Sequence, residues 1–244
     1  MSRLSIVIPA YNEARRLPES LQKIRGYFGD TWSTLELIVV DDGSRDDTVA
    51  VVRAFDAAIK IIELKPNRGK GYAVRRGMLA ATGERVLFTD ADLSTPISEI
   101  EKLQRAIDAG ADVAIGSRAI DRSLIAVHQP WLREQMGKVF NGWMQLLCLR
   151  GIKDSQCGFK LFTRQAVKDV FIHCQQDGFC FDVECLAVAK LLGYAISEVP
   201  VRWLNSADTR VNVLIDSIKM YLDLWRLRYR LRVLARQLGR PPIT

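Results

Sequence analysis

The sequence has no long uncharged apolar run, no paired cysteine motif and no segment that resembles a secretory leader. Because a membrane-spanning helix needs about 18 or more consecutive apolar residues, we expect none here. Met1 to Arg3 leads directly into a short apolar segment, which is not the pattern of a signal peptide. The five cysteines are odd in number and form no CxxC pair, so a reduced, cytosolic setting fits better than a disulfide framework.

The composition is that of an ordinary globular protein. Hydrophobic residues make up 48% of the chain and charged residues 26%, which disfavours disorder. A chain of 244 residues can bury a substantial core as one α/β domain, with or without a helical appendage.

The net charge of +7 is concentrated near the end of the chain. Seven Lys/Arg and one acid, Asp223, lie between Lys219 and Arg240, which leaves +1 for everything else. The sequence pI of about 9.3 suggests nucleic-acid binding. We disfavour nucleic acid as a partner, because the excess is confined to this segment and no recognition motif occurs.

The first half of the chain alternates between short apolar segments and segments with helical spacing. The predicted strands are 4–8, 35–40, 60–64, 85–89 and 112–116, and the predicted helices are 13–28, 46–55, 71–81 and 96–109. This alternation is typical of parallel βαβ units, so we expect a mostly parallel, Rossmann-like α/β sheet flanked by helices. The second half is less regular, with a loop and helix over 120–149, a glycine-containing stretch at 157–158 and a helix over 181–192.

Polar residues gather directly after four of the predicted strands. They are Tyr11-Asn12-Glu13, Asp41-Asp42, Asp90-Ala91-Asp92 and Ser117-Arg118. Because ligands of open α/β sheets bind outside the carboxyl ends of the strands, we expect these four groups to line one crevice.

Asp90 and Asp92 are the candidate metal ligands. Their hard oxygen atoms suit Mg²⁺ or Mn²⁺, which take one or two carboxylates together with substrate phosphates. In an extended strand the two side chains would point apart, but a turn at the strand end brings both to one site. The alternative for an isolated Asp-x-Asp is a helix cap or a solvated turn.

Two further strand ends carry candidate nucleoside contacts. Asp41 can accept hydrogen bonds from a base edge or a ribose hydroxyl, although Asp42-Gly43-Ser44 also has the composition of a simple turn. Tyr11 can pack on a nucleobase and Glu13 can accept from it, the alternative being a helix-start loop capped by Asn12.

Taken in order, these motifs resemble family 2 glycosyltransferases of the GT-A fold, and the resemblance covers roughly residues 3–230. The run 154–162 resembles the branch that acts on polyprenyl phosphates, and the runs 181–184 and 196–203 resemble dolichyl-phosphate glucosyltransferases. The motifs that carry the resemblance are Ile8-Pro9-Ala10-Tyr11-Asn12-Glu13, Val40-Asp41-Asp42-Gly43-Ser44, Asn67-Arg68-Gly69-Lys70-Gly71, Asp90-Ala91-Asp92-Leu93-Ser94 and Gly116-Ser117-Arg118.

The resemblance implies an inverting transfer of a hexose from a nucleotide diphosphate to the phosphate of a membrane polyprenol. It places Asp90-Ala91-Asp92 at the diphosphate and its metal, and Arg118 on the donor diphosphate. It places Arg133 on the acceptor phosphate. The nucleoside would be held by Pro9, Tyr11, Glu13 and Asp41. Related mannosyltransferases have Gln where this chain has Ser94 and Ser where it has Gly137.

A phosphate monoester is largely ionised at pH 7, so such an acceptor needs no strong general base and neither histidine needs a role. The site must instead neutralise and align two anions, which Lys70, Arg118, Arg133 and the metal would do. The segment from Gln156 to Lys160 is expected to line the sugar pocket, because Gly158 would allow close approach of the backbone. Asp182 is a candidate for a sugar or acceptor contact, or a first-turn acid that favours its helix.

The segment 211–238 has the pattern of a long helix that carries aromatic and basic residues. We predict a catalytic domain over 1–210 and a basic amphipathic helical segment over 211–244 that lies on an anionic membrane surface. This would localise the protein to the cytoplasmic face of a membrane. The alternatives are a helix packed on the domain or an oligomer contact.

The donor is expected to be UDP-glucose by resemblance alone. GDP-mannose with a polyprenyl phosphate and transfer to a soluble acceptor or polysaccharide are the alternatives. A catalytically inactive nucleotide-sugar sensor is disfavoured, because both Asp90 and Asp92 are present.

Overall fold

The computed structural model describes residues 3–125, 139, 141–178, 180–204 and 213–241, without the side chains of Arg122 and 213–222. The seven strands are β1 (Leu4–Ala10), β2 (Glu36–Asp41), β3 (Lys60–Glu63), β4 (Arg85–Thr89), β5 (Val113–Ser117), β6 (Phe159–Thr163) and β7 (Ile196–Pro200). The described α-helices are α1 (Leu17–Phe28), α2 (Thr48–Phe55), α3 (Lys70–Ala80), α4 (Ile100–Asp108), α5 (141–147), α6 (Arg164–Phe171), α7 (Phe181–Leu192) and α8 (Val213–Gln237).

The strands form one sheet in the order β3-β2-β1-β4-β6-β5-β7. β6 is antiparallel to both of its neighbours, β4 and β5, and the other pairs are parallel. The predicted fold class, a mostly parallel α/β sheet flanked by helices, is therefore confirmed.

Alternate strand residues face two separate apolar layers, as the pleat of a strand requires. One face packs on α1, α2 and α4, where Leu21, Val52 and Leu103 are buried. The other face packs on α3, α6, α7 and α8, where Met78, Phe171 and the core residues of α7 are buried. The helices therefore cover both faces of the sheet and leave its strand ends free to carry a site.

The predicted elements of the first half agree with the structure to within a few residues. The largest differences, of four residues each, are at the starts of α1 and α4. Helix α1 begins at Leu17 because 14–16 form a turn, and α4 begins at Ile100 because Ile97–Glu99 form a 3-10 turn. The second half contains three elements that we did not predict, β6, α6 and β7. Pairing of β6 between β4 and β5 supplies the antiparallel part of the mostly parallel sheet.

Helix α8 is packed against the rest of the fold along one side. Leu224, Leu227 and Leu231 belong to the same buried cluster as α7. Arg230 lies 2.9 Å from the buried Glu184 of α7, and Arg228 donates to the Leu147 carbonyl at 2.7 Å. The predicted boundary at residue 210/211 stays a prediction. Of the helices that the structure describes, none has both the length and the apolar character needed to cross a bilayer.

Candidate active site

The sheet order places the carboxyl ends of β1, β2 and β4 side by side. The chain runs from β1 outward to β2 and β3 and then returns to β4 on the other flank of β1. This reversal creates the crevice in which open α/β sheets bind ligands. Because β6 runs antiparallel, its first residues, just after Gly158, lie at the same edge. The predicted groups after β1, β2, β4 and β5 therefore share one end of the sheet.

The Asp90-Ala91-Asp92 segment forms a tight turn after β4. The Leu93 amide donates to the Asp90 carbonyl at 3.2 Å, and Leu93 has a φ of 46°, an unusual value for a residue with a side chain. Asp92 Oδ1 accepts the Ser94 amide at 3.0 Å, and Ser20 of α1 donates to the Ala91 carbonyl at 2.6 Å. A turn is therefore present after β4, as we expected, and three hydrogen bonds hold it. That it brings both carboxylates to one site stays a prediction.

The Asp90 carboxylate lies between a lysine and a glycine. Lys70 Nζ is 2.6 Å from Asp90 Oδ1, and the side chains of both residues are about one-third exposed. That oxygen is itself buried and has no aligned hydrogen-bond partner. We therefore interpret the 2.6 Å contact as an ion pair without hydrogen-bond geometry. On the other side, a Cβ on Gly158 would lie 2.0 Å from Asp90 Oδ2.

Lys70 is held among acids and aromatic rings. Its ammonium is 5.6 Å from the centre of the Phe88 ring and 5.8 Å from that of Phe181. Burial lowers the pKa of Lys70, but the nearby carboxylates of Asp90, Asp182 and Asp92 outweigh burial, so the pKa is raised. Lys70 therefore carries a positive charge at neutral pH at the centre of the predicted diphosphate site.

Two aspartates hold the backbone around Lys70, Asp42 through its side chain and Asp177 through its backbone carbonyl. Asp42, and not Asp41, accepts the amides of Arg68 and Gly69 at 2.9 and 2.8 Å. The Asp177 carbonyl accepts the Gly71 amide at 2.8 Å. Gly69 has a φ of 105°, and a Cβ there would lie 2.4 Å from the Asp177 carbonyl oxygen, so glycine is required at this position.

A second lysine is buried next to the site, within the segment 156–160 that we predicted to line the sugar pocket, and its ion pair was not predicted. Lys160 of β6 is fully buried, donates to the Cys157 carbonyl at 2.5 Å and forms a short ion pair with Asp182. Burial lowers the pKa of Lys160, but the Asp182 carboxylate more than compensates, so its pKa is raised. A lysine within the apolar run 159–162 was a usable signal, since a buried charge needs a partner.

Helix α7 contributes two buried acids with different partners. Asp182 pairs with Lys160, whereas Glu184 accepts the amides of Gln175 and Gln176 at 2.8 and 2.7 Å. Both acids therefore have specific partners beyond the favourable effect of a helix first turn. The predicted contact of Asp182 with substrate stays a prediction.

Arg118 lies after β5 and binds Asp154 in a bidentate manner. Two guanidinium nitrogens donate to the Asp154 carboxylate at 2.7 Å each, and the Arg118 amide donates to it as well. Its guanidinium carbon is 5.3 Å from the centre of the Trp203 ring. Burial would raise the pKa of Asp154, but Arg118 lowers it below its ordinary value. Arg118 is thus rigidly oriented, and its predicted contact with the donor diphosphate is not tested by these distances.

The predicted nucleoside side of the site is built from the ends of β1 and β2. Pro9 pairs with Val40 within the sheet, and Tyr11 follows β1 at a half-buried position. The carboxylate of Glu13 is engaged by Arg16, whose Nε donates at 2.7 Å. Asp41 is almost fully buried and accepts the Ser44 amide at 3.1 Å. Asn12 does not cap α1, because its side chain accepts the Arg45 amide instead.

The residues predicted for the sugar and for the acceptor phosphate differ in what can be said of them. Gln156, predicted for the sugar, is half-buried in the loop that leads to Gly158, and Gly158 lies against Asp90. Arg133, together with Gly137 and His128, lies outside the described residues.

Asp90 and Asp92 fit a divalent cation by their chemistry. Asp90 Oδ1, which forms an ion pair with Lys70 but no aligned hydrogen bond, can accept a metal ion, and one or two carboxylates completed by phosphates are a usual Mg²⁺ site. Across the described part of the chain there is no group of three or more His, Cys, Asp or Glu arranged to hold a metal. Any ion here would therefore depend on oxygen atoms of the donor.

Comparison with known proteins agrees with this geometry. The model of the family described as Glycosyl transferase family 2 matches residues 5–171. The dolichyl-phosphate β-glucosyltransferase of Dictyostelium discoideum is 35% identical over 243 residues, which is 93% of this chain and 74% of that protein. The human dolichyl-phosphate β-glucosyltransferase is 34% identical over 245 residues, covering 93% and 75%.

Solved structures support the same fold. A glucosyl-3-phosphoglycerate synthase from Mycobacterium tuberculosis, solved with Mn²⁺, UDP and phosphoglyceric acid, matches with a TM-score of 0.70. The match is 19% identical and covers 98% of this chain and 80% of that one, so it bears on the fold alone. The family model and the relatives together establish that the chain belongs to glycosyl transferase family 2.

Proposed function

We propose that the protein transfers glucose from UDP-glucose to the phosphate of dolichol or a similar polyprenol, with inversion at the anomeric carbon. The observation that carries this proposal is the arrangement of Asp90, Asp92 and Lys70 at the junction of β1 and β4. The transferred glucose and the dolichyl-phosphate acceptor are those in the names of the relatives that are about 35% identical over most of the chain. The choice of UDP as the nucleotide rests on the resemblance of the sequence motifs alone.

In this proposal Asp90 and Asp92 hold Mg²⁺ or Mn²⁺ together with the donor diphosphate. The bound ion would supply neutralisation of charge on the leaving diphosphate. Lys70 adds a second positive charge from the start of α3, and Arg118 adds a third, oriented by Asp154. Pro9, Tyr11, Glu13 and Asp41 would hold the uridine at the ends of β1 and β2.

The acceptor phosphate needs alignment more than activation. A phosphate monoester, whose second pKa is about 6, is already a nucleophile at neutral pH. The contribution of this chain is therefore to place two anions in line and to screen their repulsion. Arg133 is the residue that we propose for the acceptor phosphate, and Gln156 and Asp182 for the sugar.

A panel of donors and acceptors tests the proposed function. The purified protein is incubated with UDP-glucose or GDP-mannose and with either a polyprenyl phosphate or a soluble sugar acceptor. We expect glucosyl transfer from UDP-glucose to the lipid phosphate, lost on chelation of divalent ions and restored by Mg²⁺ or Mn²⁺. Preference for GDP-mannose or for the soluble acceptor would overturn the proposed substrates, and transfer that survives chelation would overturn the proposed metal.

We also propose that α8 rests on the cytoplasmic surface of a membrane. The side of α8 that faces away from the core exposes Trp225 and Tyr229, with 55% and 70% of their surface accessible, and the exposed Arg226 and Arg232 flank them. Trp143 of α5 is also exposed, and the carbonyls at the end of α5 accept from Arg228. Aromatic rings beside arginines suit the interface of an anionic bilayer.

Sedimentation with vesicles tests this placement. We expect the double variant Trp225→Ser/Tyr229→Ser to bind anionic vesicles at least about tenfold more weakly than the wild type, because it loses the exposed ring surface. Ile172→Ser is the matched control, since Ile172 is as exposed as Tyr229 but lies at the end of α6. Wild-type protein that stays in the supernatant, or equal losses in both variants, would rule out docking through α8.

A further inference from the structure

The Lys70–Asp90 ion pair has a consequence for how a metal could enter the site. Asp90 Oδ1 is buried, lacks an aligned hydrogen bond and lies 2.6 Å from Lys70 Nζ. The same oxygen belongs to one of the two carboxylates proposed to hold the divalent ion. A protein cation therefore faces the oxygen that the metal would need.

We propose that Lys70 occupies the metal position on Asp90 until the donor diphosphate draws it away, so that metal and donor bind cooperatively. The inference rests on the proposed function, in which Asp90 is a metal ligand.

Distance alone makes the two cations compete. A divalent ion binds a carboxylate oxygen at about 2.1 Å. With Lys70 at 2.6 Å from the same oxygen, the two positive charges would be at most about 4.7 Å apart. Repulsion at that separation in a partly buried site disfavours the ion while Lys70 stays in place.

Contacts with two aromatic rings stabilise Lys70 beside Asp90, while its partial exposure allows the side chain to move. Phe88 and Phe181 hold its ammonium by cation–π contacts. Asp182 attracts Lys70, but its short ion pair is with Lys160, so it leaves Lys70 free to move. The Lys70 side chain is 30% exposed and flexible, so it can turn toward a diphosphate at the start of α3.

If Lys70 and the metal ion replace each other at Asp90, the affinity for the metal should depend on whether a nucleotide is bound. Without a nucleotide, the wild type should bind Mn²⁺ weakly, and UDP should strengthen binding at least about tenfold, a usual size for coupled sites. In Lys70→Met the competing charge is gone. Binding of Mn²⁺ without UDP should become at least about tenfold tighter than in the wild type, and the gain from UDP should shrink.

Titration of Mn²⁺ by electron paramagnetic resonance, with and without UDP and corrected for Mn²⁺ bound to free UDP, measures these affinities. Lys70→Arg keeps the charge and should keep Mn²⁺ binding without UDP weak. Asp92→Asn should weaken Mn²⁺ binding both in the wild-type protein and in Lys70→Met. Lys70→Gln repeats the test if the methionine variant does not fold, as judged by thermal unfolding.

The outcomes separate this inference from the proposed function. If the wild type binds no Mn²⁺ even with UDP, the proposed metal site itself fails. If the wild type binds Mn²⁺ with UDP but neither neutral variant at Lys70 binds it more tightly without UDP, the exchange is overturned and the metal site stands.

Discussion

Gly158→Ala is expected to lower glucosyl transfer about 100-fold without unfolding the protein. The new Cβ would lie 2.0 Å from Asp90 Oδ2 and 2.3 Å from Asp90 Cγ, so the carboxylate must move. A displacement of about 1 Å at a catalytic group can cost about 100-fold in rate. The backbone of Gly158 is not left-handed, so alanine adds this contact and no backbone strain. Steady-state kinetics with UDP-glucose and a polyprenyl phosphate measures the effect.

Gly26→Ala is the matched control for this variant. Gly26 lies in α1, and a Cβ there would meet nothing within 4 Å. Because alanine favours a helix over glycine by about 1 kcal/mol, this variant should keep full transfer and be slightly more stable. Wild-type rates in Gly158→Ala would mean that the position of Asp90 does not limit the reaction, and would remove the main support for the proposed site.

Lys160→Met is expected to destabilise the fold by roughly 3–5 kcal/mol, the cost of leaving one partner of a buried ion pair alone. Both side chains are almost fully buried, 1% exposed for Lys160 and 7% for Asp182. Since whole domains are stable by about 5–15 kcal/mol, this loss would take a large share of the total. Urea unfolding of the variant and the wild type measures the difference.

Two further variants show whether the loss of stability in Lys160→Met comes from the unpaired buried charge of Asp182 or only from the lost ion-pair contact. Lys23→Met breaks an ion pair with Glu19 whose side chains are 58% and 73% exposed, and it should leave the urea midpoint close to that of the wild type. The double variant Lys160→Met/Asp182→Leu removes both buried charges and should recover much of the loss. A single variant as stable as the wild type would show that Asp182 does not depend on Lys160 for its charge.

Much of the first half of the fold could be predicted from sequence, because there each strand is a short apolar run followed by a helix with clear spacing. The strands at Leu4–Ala10, Glu36–Asp41 and Arg85–Thr89 match the predicted runs closely. Their order along the chain also placed the polar groups at one edge, because parallel strands end on the same side of a sheet.

The second half could not be predicted in the same way. β6 pairs between β4 and β5 in the antiparallel direction, which depends on contacts far apart in sequence. Its pattern is also unusual, with Lys160 fully buried inside the strand. β7 is only half-buried along its length, so its apolar signal is weak.

Side-chain partners were the least predictable part of the site. Sequence pattern identified Arg118 and Asp90, but it did not predict that Asp154 would pair with Arg118 or that Gly158 would lie against Asp90. It favoured Asp41 over Asp42, although Asp42 organises the loop that leads to Lys70. These pairings arise from packing between distant segments, which no local pattern records.

The position of β6 in the sheet sets the order in which the protein can acquire its site during synthesis. Asp90 is made early, but the Gly158 carbonyl that accepts its amide at 3.1 Å comes 68 residues later. A nascent chain that ends before β6 leaves the edge of β4 unpaired. The crevice beside Asp90 is therefore incomplete until β6 has been synthesised and has paired with β4. Because this pairing joins segments far apart in sequence, it is expected to be a slow folding step.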